Sequence, residues 1–227
     1  IYNFPNCVGL IDGTLLRLNC APGGEFEPSA FWSRKCFYAL QMLVICDHNC
    51  RVHYIHLGWP GSVHDNRVWR NCQVHRDPGS HFSDGDILLA DSAFTSGPHL
   101  VPAYRSNATT GLADAGPNQI KQFNEILARP RVKSEHCIGR LKGRFPWLKC
   151  IRCQIRNTRD LRKAIQFVEA TVILHNWLID AREEDWDEDP DDDAQDAEPA
   201  EELVDDLDEV DEPEAQGEAH GVARREK

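Results

Sequence analysis

The chain has 227 residues, with 25 Lys and Arg against 37 Asp and Glu, which gives a formal net charge of −12. The charge is unevenly distributed: residues 181–227 hold 22 acidic and 4 basic residues, whereas residues 1–180 hold 15 acidic and 21 basic ones. The acidic overall balance therefore does not exclude a nucleic acid as the partner of the first 180 residues. No apolar run reaches the roughly 18 residues of a membrane span, so none is predicted.

The change in composition near residue 181 predicts two regions. Residues 1–180 have the length and apolar content of one globular domain. Residues 181–227 consist mainly of Asp, Glu, Ala and Pro, and we expect them to form a disordered acidic tail because they offer too little apolar surface to bury. Two interpretations of the tail stay open, a solubilising segment and an intramolecular mimic of DNA that competes for the basic surface.

The nine cysteines form an odd set, and no signal peptide stands at the start of the chain, which favours reduced thiols in an intracellular protein. Cys150 and Cys153 are spaced as a zinc-binding pair, but no second pair accompanies them. A structural zinc site is therefore not expected.

The first half of the domain favours strands. Residues 7–12 and 15–19 are short apolar segments, and residues 36–46 and 51–58 flank a polar turn as the strands of an antiparallel hairpin would. Pro60 and Gly61 interrupt the chain, and Ser62 is a candidate cap for a helix over residues 63–71.

The second half adds one strand and three helices. Residues 86–91 predict a short buried strand, and residues 105–117 a surface loop. Helices are expected over residues 118–128, from Pro130 to about Arg144, and over residues 159–180 after a capping Thr158. The order of elements indicates an α/β fold with a mixed sheet flanked by helices.

Three acidic residues stand in separate segments that could form a metal site. Asp12 and Asp91 each follow an apolar run, and Glu135 lies in a basic helical stretch on a face expected to point toward the domain. Mg²⁺ and Mn²⁺ prefer such carboxylate oxygens, and a pair of these ions promotes phosphodiester cleavage. Each acid alone has a simpler explanation, as a turn residue or, for Glu135, as a solvated partner of Arg131.

His64 and Asp65 occupy the expected start of the first helix, where a carboxylate interacts favourably with the helix dipole. They are interpreted either as a cap with a structural histidine, or as supporting residues or an additional ligand beside the metal site.

Residues 129–163 contain twelve Lys and Arg but only two acids, a density that favours contact with a DNA backbone over a merely solvated face. The expected DNA-binding residues are Arg131, Lys133, Arg140, Lys142 and Arg144. The sequence contains neither a Gly-x-Ser-x-Gly elbow nor a Walker loop, so these two kinds of catalytic motif are excluded.

Several segments taken together resemble the Harbinger/PIF-type transposases and their domesticated nuclease relatives, within the DDE superfamily. The similar segments, in chain order, are residues 4–14, 33–35, 60–65, 90–94, 131–135 with 139–145, and 174–176. Ser92-Ala93-Phe94 departs from the Gly-Tyr that usually follows the second acid in this family.

The resemblance implies an RNase-H-like fold and a divalent metal cofactor, Mg or Mn. Asp12, Asp91 and Glu135 would be both the catalytic residues and the metal ligands. It further implies DNA as the substrate, transposition in active members, a nuclear location and a Myb-like partner protein that supplies DNA binding. The alternative is a domesticated, catalytically inactive module of transposase origin that binds DNA or protein.

Overall fold

The computed structural model describes residues 4–105 and 116–181. Most of the expected loop over residues 105–117, and all but the first residue of the expected acidic tail, lie outside the described residues.

A single mixed sheet of five strands forms the centre of the fold. The strands are β1 (Cys7–Arg17), β2 (Ala39–Cys46), β3 (Val52–Pro60), β4 (Ile87–Ala90) and β5 (Leu100–Pro102). They lie in the order β3-β2-β1-β4-β5, with antiparallel pairing among β1, β2 and β3 and parallel pairing from β1 through β4 to β5. The expected mixed sheet, an antiparallel meander extended by parallel strands, is confirmed.

Helices cover both faces of this sheet. They are α1 (Asp65–Asn71), α2 (Gln73–Arg76), α3 (Pro117–Arg144) and α4 (Thr158–Asp180). Helices α3 and α4 pack with one face of the sheet in the larger core cluster, and α1 and α2 pack with the other face. Every residue of β2 is buried because both of its faces are covered, which explains its almost continuous apolar sequence.

Strand β1 is longer than the sequence indicated. Asp12 was expected at the end of a strand, but β1 continues to Arg17 and pairs with β2 from Leu10 to Arg17. The register of Asp12 opposite Val44 and of Gly13 opposite Leu43 is set by a partner strand distant in sequence. Gly13 therefore lies within a strand and not in the turn that its residue type favours.

Helix α3 continues through Pro130, where a new helix was expected to begin. An internal proline removes one backbone hydrogen bond and costs about 3 kcal/mol. The helix is nevertheless continuous because Leu127 before the proline and Cys137 and Leu141 after it are all buried in the same core. Tertiary packing thus outweighs the local preference.

The two expected helix caps were also wrong. Helix α1 begins at Asp65, with His64 and not Ser62 in the capping position. Helix α4 begins at Thr158, and the side chain of Asn157 accepts the capping hydrogen bond from the backbone of Asp160 at 2.9 Å. Within the described part of the chain, no helix has both the length and the apolar character needed to cross a membrane.

Candidate active site

Asp12 and Asp91 lie on neighbouring parallel strands. Leu10 of β1 is paired with Leu89 of β4, so two residues further along both strands Asp12 is level with Asp91, the first residue after β4. The backbone N–H of Ala93 donates to Asp91 Oδ1 at 2.9 Å and holds this carboxylate at the strand end. The position expected for Asp91 is therefore confirmed, and β1 and β4 bring the two acids together.

The Asp12 side chain faces helix α3. It shares its face of β1 with Leu10 and Leu16, which belong to the core under α3 and α4. The N–H of Gly13 donates to Asp12 Oδ1 at 2.8 Å, and the hydroxyl of Ser134 in α3 lies 3.3 Å from Asp12 Oδ2 and 2.7 Å from the carbonyl oxygen of Arg131, two acceptors that share its one proton. Both carboxylate oxygens thus lie beside a polar group of the protein.

Asp65 approaches β1 from the opposite side. A Cβ built on Gly13 would lie 1.9 Å from Asp65 Oδ1, so the carboxylate occupies the space that a side chain at Gly13 would need. The side-chain amide of Gln41 in β2 donates to the same oxygen. Because successive strand residues point to opposite faces, Asp65 lies behind β1 as seen from the Asp12 side chain.

The charges of these three acids act on one another. Burial, with the negative charges of Asp91 and Asp65 as further causes, raises the pKa of Asp12 to about 7. The positive charge of Arg131 and the Gly13 N–H oppose the rise only in part. A cation at this position would favour the ionised form of Asp12, so the electrostatics of the donor set fit a divalent metal ion.

Glu135 does not point toward the domain as expected. Its side chain is 58 % exposed, and its Oε1 lies 3.8 Å from Arg131 Nη2 on the preceding helical turn. The sequence placed the buried face too close to Glu135, because Cys137 also belongs to the core and shifts the buried stripe away. Glu135 still lies on the flank of α3 that carries Arg131, whose charge reaches Asp12.

The five expected DNA-binding residues are divided between two flanks of α3. With about 3.6 residues per turn, Arg131 and Lys142 fall on the flank toward β1, where Lys142 Nζ donates to a β1 carbonyl at 3.3 Å. Lys133, Arg140 and Arg144 fall on the other flank, and the charges of both arginines act on His175 in α4. All five side chains are half-buried, so they do not form one solvated face.

His64 is exposed, and its side chain makes no capping hydrogen bond to α1. Across residues 4–105 and 116–181, no three or more His, Cys, Asp and Glu side chains are arranged to hold one metal ion together. The position of Asp65 behind β1 and the exposure of Glu135 explain why the pair of Asp12 and Asp91 lacks a third ligand in this geometry.

The segment Leu174-His175-Asn176, part of the resemblance, has a structural role. Asn176 exchanges two hydrogen bonds with the backbone of Val52, at 2.9 and 2.8 Å. His175 Nε2 lies 2.9 Å from the carbonyl oxygen of Cys50. These contacts attach α4 to the edge of β3, away from the acids.

A family model described as DDE superfamily endonuclease matches residues 11–176, from the residue before Asp12 to Asn176. The chain belongs to this family. The matched region contains Asp12, Asp65, Asp91 and Glu135 together with the mixed sheet except for the first four residues of β1, so the resemblance to the DDE superfamily is confirmed.

One curated relative gives a more distant comparison. The chain is 21 % identical over 203 residues to a protein named "Protein ALP1-like" from Arabidopsis thaliana. The match covers 84 % of this chain but 47 % of the relative, so the chain spans about half the length of that protein. No solved structure matches the chain.

Gln41 is the site residue that the sequence reasoning missed. It is 5 % exposed and holds Asp65 in place. The available signal was a single long polar side chain within the apolar run of residues 36–46, since a buried amide needs a partner.

Proposed function

We propose that this DDE-family domain is a divalent-metal-dependent DNA endonuclease that hydrolyses phosphodiester bonds at the carboxylates of Asp12 and Asp91. The observation that carries the proposal is the parallel pairing of β1 with β4, which sets these two acids side by side within the family match. Two nearby carboxylates, one with a pKa raised to about 7, form an electrostatically unfavourable arrangement that a cation relieves.

Asp12 and Asp91 would hold the metal, Mg or Mn, because carboxylate oxygens are the donors that these hard ions prefer. Glu135 is the proposed third ligand: it lies next to Arg131 on the flank of α3 whose charge reaches Asp12, and its exposed side chain would have to turn away from Arg131 to reach the metal. When bound, the metal would activate a water and stabilise the charge that develops on the phosphodiester.

Other residues of the chain keep this pair in place. The Gly13 N–H orients the Asp12 carboxylate through a hydrogen bond to Oδ1, and the Ser134 hydroxyl lies against Oδ2. Asp65, held by Gln41 behind β1, adds negative charge near Asp12 and so strengthens the attraction for a cation. We therefore assign Asp65 a supporting role and not that of a shared ligand.

The basic residues of α3 supply the proposed contact with DNA. Arg131 and Lys142 lie on the flank nearest Asp12, which makes them the candidates for holding a phosphate close to the acids. Lys133, Arg140 and Arg144 would contact phosphates of the DNA backbone at a greater distance from the acids. A nuclear location and a Myb-like partner remain part of this proposal on the strength of the family resemblance, and so does transposition.

The test is metal-dependent nicking of supercoiled DNA by the full chain. We expect nicking in Mg²⁺ or Mn²⁺, and a loss of at least about a hundredfold in Asp12→Asn and Asp91→Ala, since each removes a metal ligand. Mn²⁺ binding followed by calorimetry should weaken in the same variants.

Glu135 has a matched control on the same helix. Glu125 is also exposed and pairs with a base one turn away, Lys121 at 4.0 Å, but it lies more than two turns from Glu135. We expect Glu135→Gln to lose nicking and Glu125→Gln to retain it. Equal loss in both variants would contradict the role of Glu135, and full activity in Asp91→Ala would contradict the site itself. Salt-dependent DNA binding with no cleavage in either metal would instead support the inactive binding module.

A further inference from the structure

Helix α4 carries two separate apolar faces. One face is buried against the sheet through Ala164, Val168 and Val172. On nearly the opposite side, Phe167 and Trp177 are 68 % and 67 % exposed. A helix in contact with a core on one side only would carry polar residues on the other, so the second apolar face needs an explanation.

The exposed face forms a continuous stripe, which we call the α4 stripe. Its members follow a helical spacing of three and four residues: Phe167, Ala170, Ile173, Leu174 and Trp177. Trp147 extends it, because its ring packs edge-on against Phe167 with centroids 5.4 Å apart. At the N-terminal end the same side of α4 presents three exposed bases, Arg159, Arg162 and Lys163.

Residues 201–211 of the chain have the complementary pattern. Within this acidic segment, Leu203, Val204, Leu207 and Val210 are spaced so that a helical conformation would align them on one side. The remaining seven residues of the segment are all Asp or Glu. An apolar side flanked by acids matches an apolar stripe that ends in bases.

We propose that residues 201–211 bind the α4 stripe of their own chain, with the leucines against Phe167, Leu174 and Trp177 and the acids toward Arg159, Arg162 and Lys163. The segment follows α4 in the chain, and residues 181–200 connect the two. Fully extended, these 20 residues reach about 70 Å, whereas the 23 residues of α4 measure about 35 Å. The connection thus permits binding anywhere along α4, at the high effective concentration of a tethered segment.

Binding of residues 201–211 to the α4 stripe would reduce the positive charge that the basic surface presents to DNA. Binding would place acids beside the bases at the start of α4, which belong to the same basic stretch as the α3 residues. The proposed contact depends on apolar burial as well as on charge. In this it differs from a tail that acts on DNA binding through its charge alone.

The test is zero-length carbodiimide cross-linking of the full chain, read by peptide mass spectrometry. An equal mixture of ¹⁵N-labelled and unlabelled chains distinguishes contacts within one chain from contacts between two. We expect an amide between Lys163 and a carboxylate of residues 201–211, with both peptides carrying the same label. The double variant Leu203→Ser/Leu207→Ser keeps every charge and should lower the yield at least about fivefold.

Controls on both sides of the contact complete the design. Val222→Ser changes a tail residue outside the segment, and Val132→Ser changes an exposed residue of α3; neither should alter the yield. Trp177→Ser should lower it as the leucine variant does. Mixed labels would assign the stripe to a second copy of the chain and overturn the proposal. It would also be overturned by an undiminished yield in the leucine variant, which indicates charge attraction alone, or by the absence of the cross-link.

Discussion

The carboxylate of Asp65 occupies the space above Gly13 in which any other residue would place its Cβ, at 1.9 Å from Asp65 Oδ1. This contact joins the first turn of α1 to the centre of β1, directly beside Asp12. A glycine within a strand weakens the strand, so its presence here is explained by the close approach of Asp65. The glycine thus leaves room for the Asp65 carboxylate at a fixed position behind Asp12.

Gly13→Ala should therefore impair nicking much more than folding. The new methyl group must displace Asp65 from Gln41, which alters the charge near Asp12 without removing any proposed ligand. We expect nicking to fall about tenfold to a hundredfold, while the free energy of unfolding changes by less than about 2 kcal/mol. Gly97→Ala is the control, since a Cβ there meets nothing within 4 Å. Unchanged nicking in Gly13→Ala would show that the position of Asp65 is irrelevant to the activity.

Asn176 contributes to stability and not to chemistry. Its amide satisfies both the N–H and the carbonyl of Val52 in β3, and it is only 8 % exposed. Asn176→Ala leaves both backbone groups without these partners, which should lower the free energy of unfolding by about 3 kcal/mol. Denaturant unfolding measures this, with Asn71→Ala as a control. That variant removes two exposed hydrogen bonds, to the carbonyl of Arg67 and from the side chain of Arg76, and should cost less than about 1 kcal/mol. Comparable losses in the two variants would contradict the assignment.

Gly24 is required by the backbone of the loop after β1. Its φ is +65°, and a Cβ would lie 2.2 Å from the carbonyl oxygen of Arg156. Gly24→Ala should lower the free energy of unfolding by about 3 kcal/mol, because the conformation is unfavourable and the clashing atom belongs to the backbone. Gly23→Ala, one residue earlier, meets nothing within 4 Å and should have a small effect. Thermal unfolding of the two variants side by side tests the difference, and equal midpoints would exclude the steric account.

Local pattern predicted β1 to β4 and the place of Asp91, because alternation and short apolar runs directly reflect burial, but it missed the three-residue strand β5. The same pattern was insufficient for Asp12 and Gly13, whose position within β1 depends on pairing with β2 about 30 residues away. It also failed at Pro130, where burial on either side sustains a helix that the proline alone would end.

The sequence predicts which acids belong to the candidate site, but not how Glu135 and Asp65 are oriented relative to Asp12. Which face of α3 is buried depends on Cys137, whose thiol donates to the carbonyl of Cys50 at 3.3 Å across a gap of 87 residues. With Cys137 turned toward the core, Glu135 lies on the exposed side of α3. The sequence of the helix alone does not indicate this orientation, because the partner of Cys137 is distant in the chain. The separation of Asp65 from Asp12 by β1 likewise follows from the packing of α1 on the second face of the sheet.

Acid should destabilise the fold through His56. Burial, together with the charge of Arg76, lowers the pKa of His56 to about 4 from an ordinary value of 6.5. Its Nε2 accepts a hydrogen bond from Trp59 Nε1 at 2.9 Å, which requires the neutral ring, and its buried Nδ1 has no partner among the described residues.

The unfolded chain binds a proton at His56 below about pH 6.5, but the folded chain does so only near pH 4. The free energy of unfolding is therefore unaffected by His56 above pH 6.5. It falls as the pH drops from 6.5 toward 4, by at most about 3 kcal/mol. His56→Gln keeps an acceptor for Trp59 and should remove this part of the pH dependence in denaturant unfolding. His48→Gln, at an exposed position in the turn after β2, should leave it intact. If His56→Gln loses stability between pH 6.5 and 4 as steeply as the unmodified chain, another group is responsible.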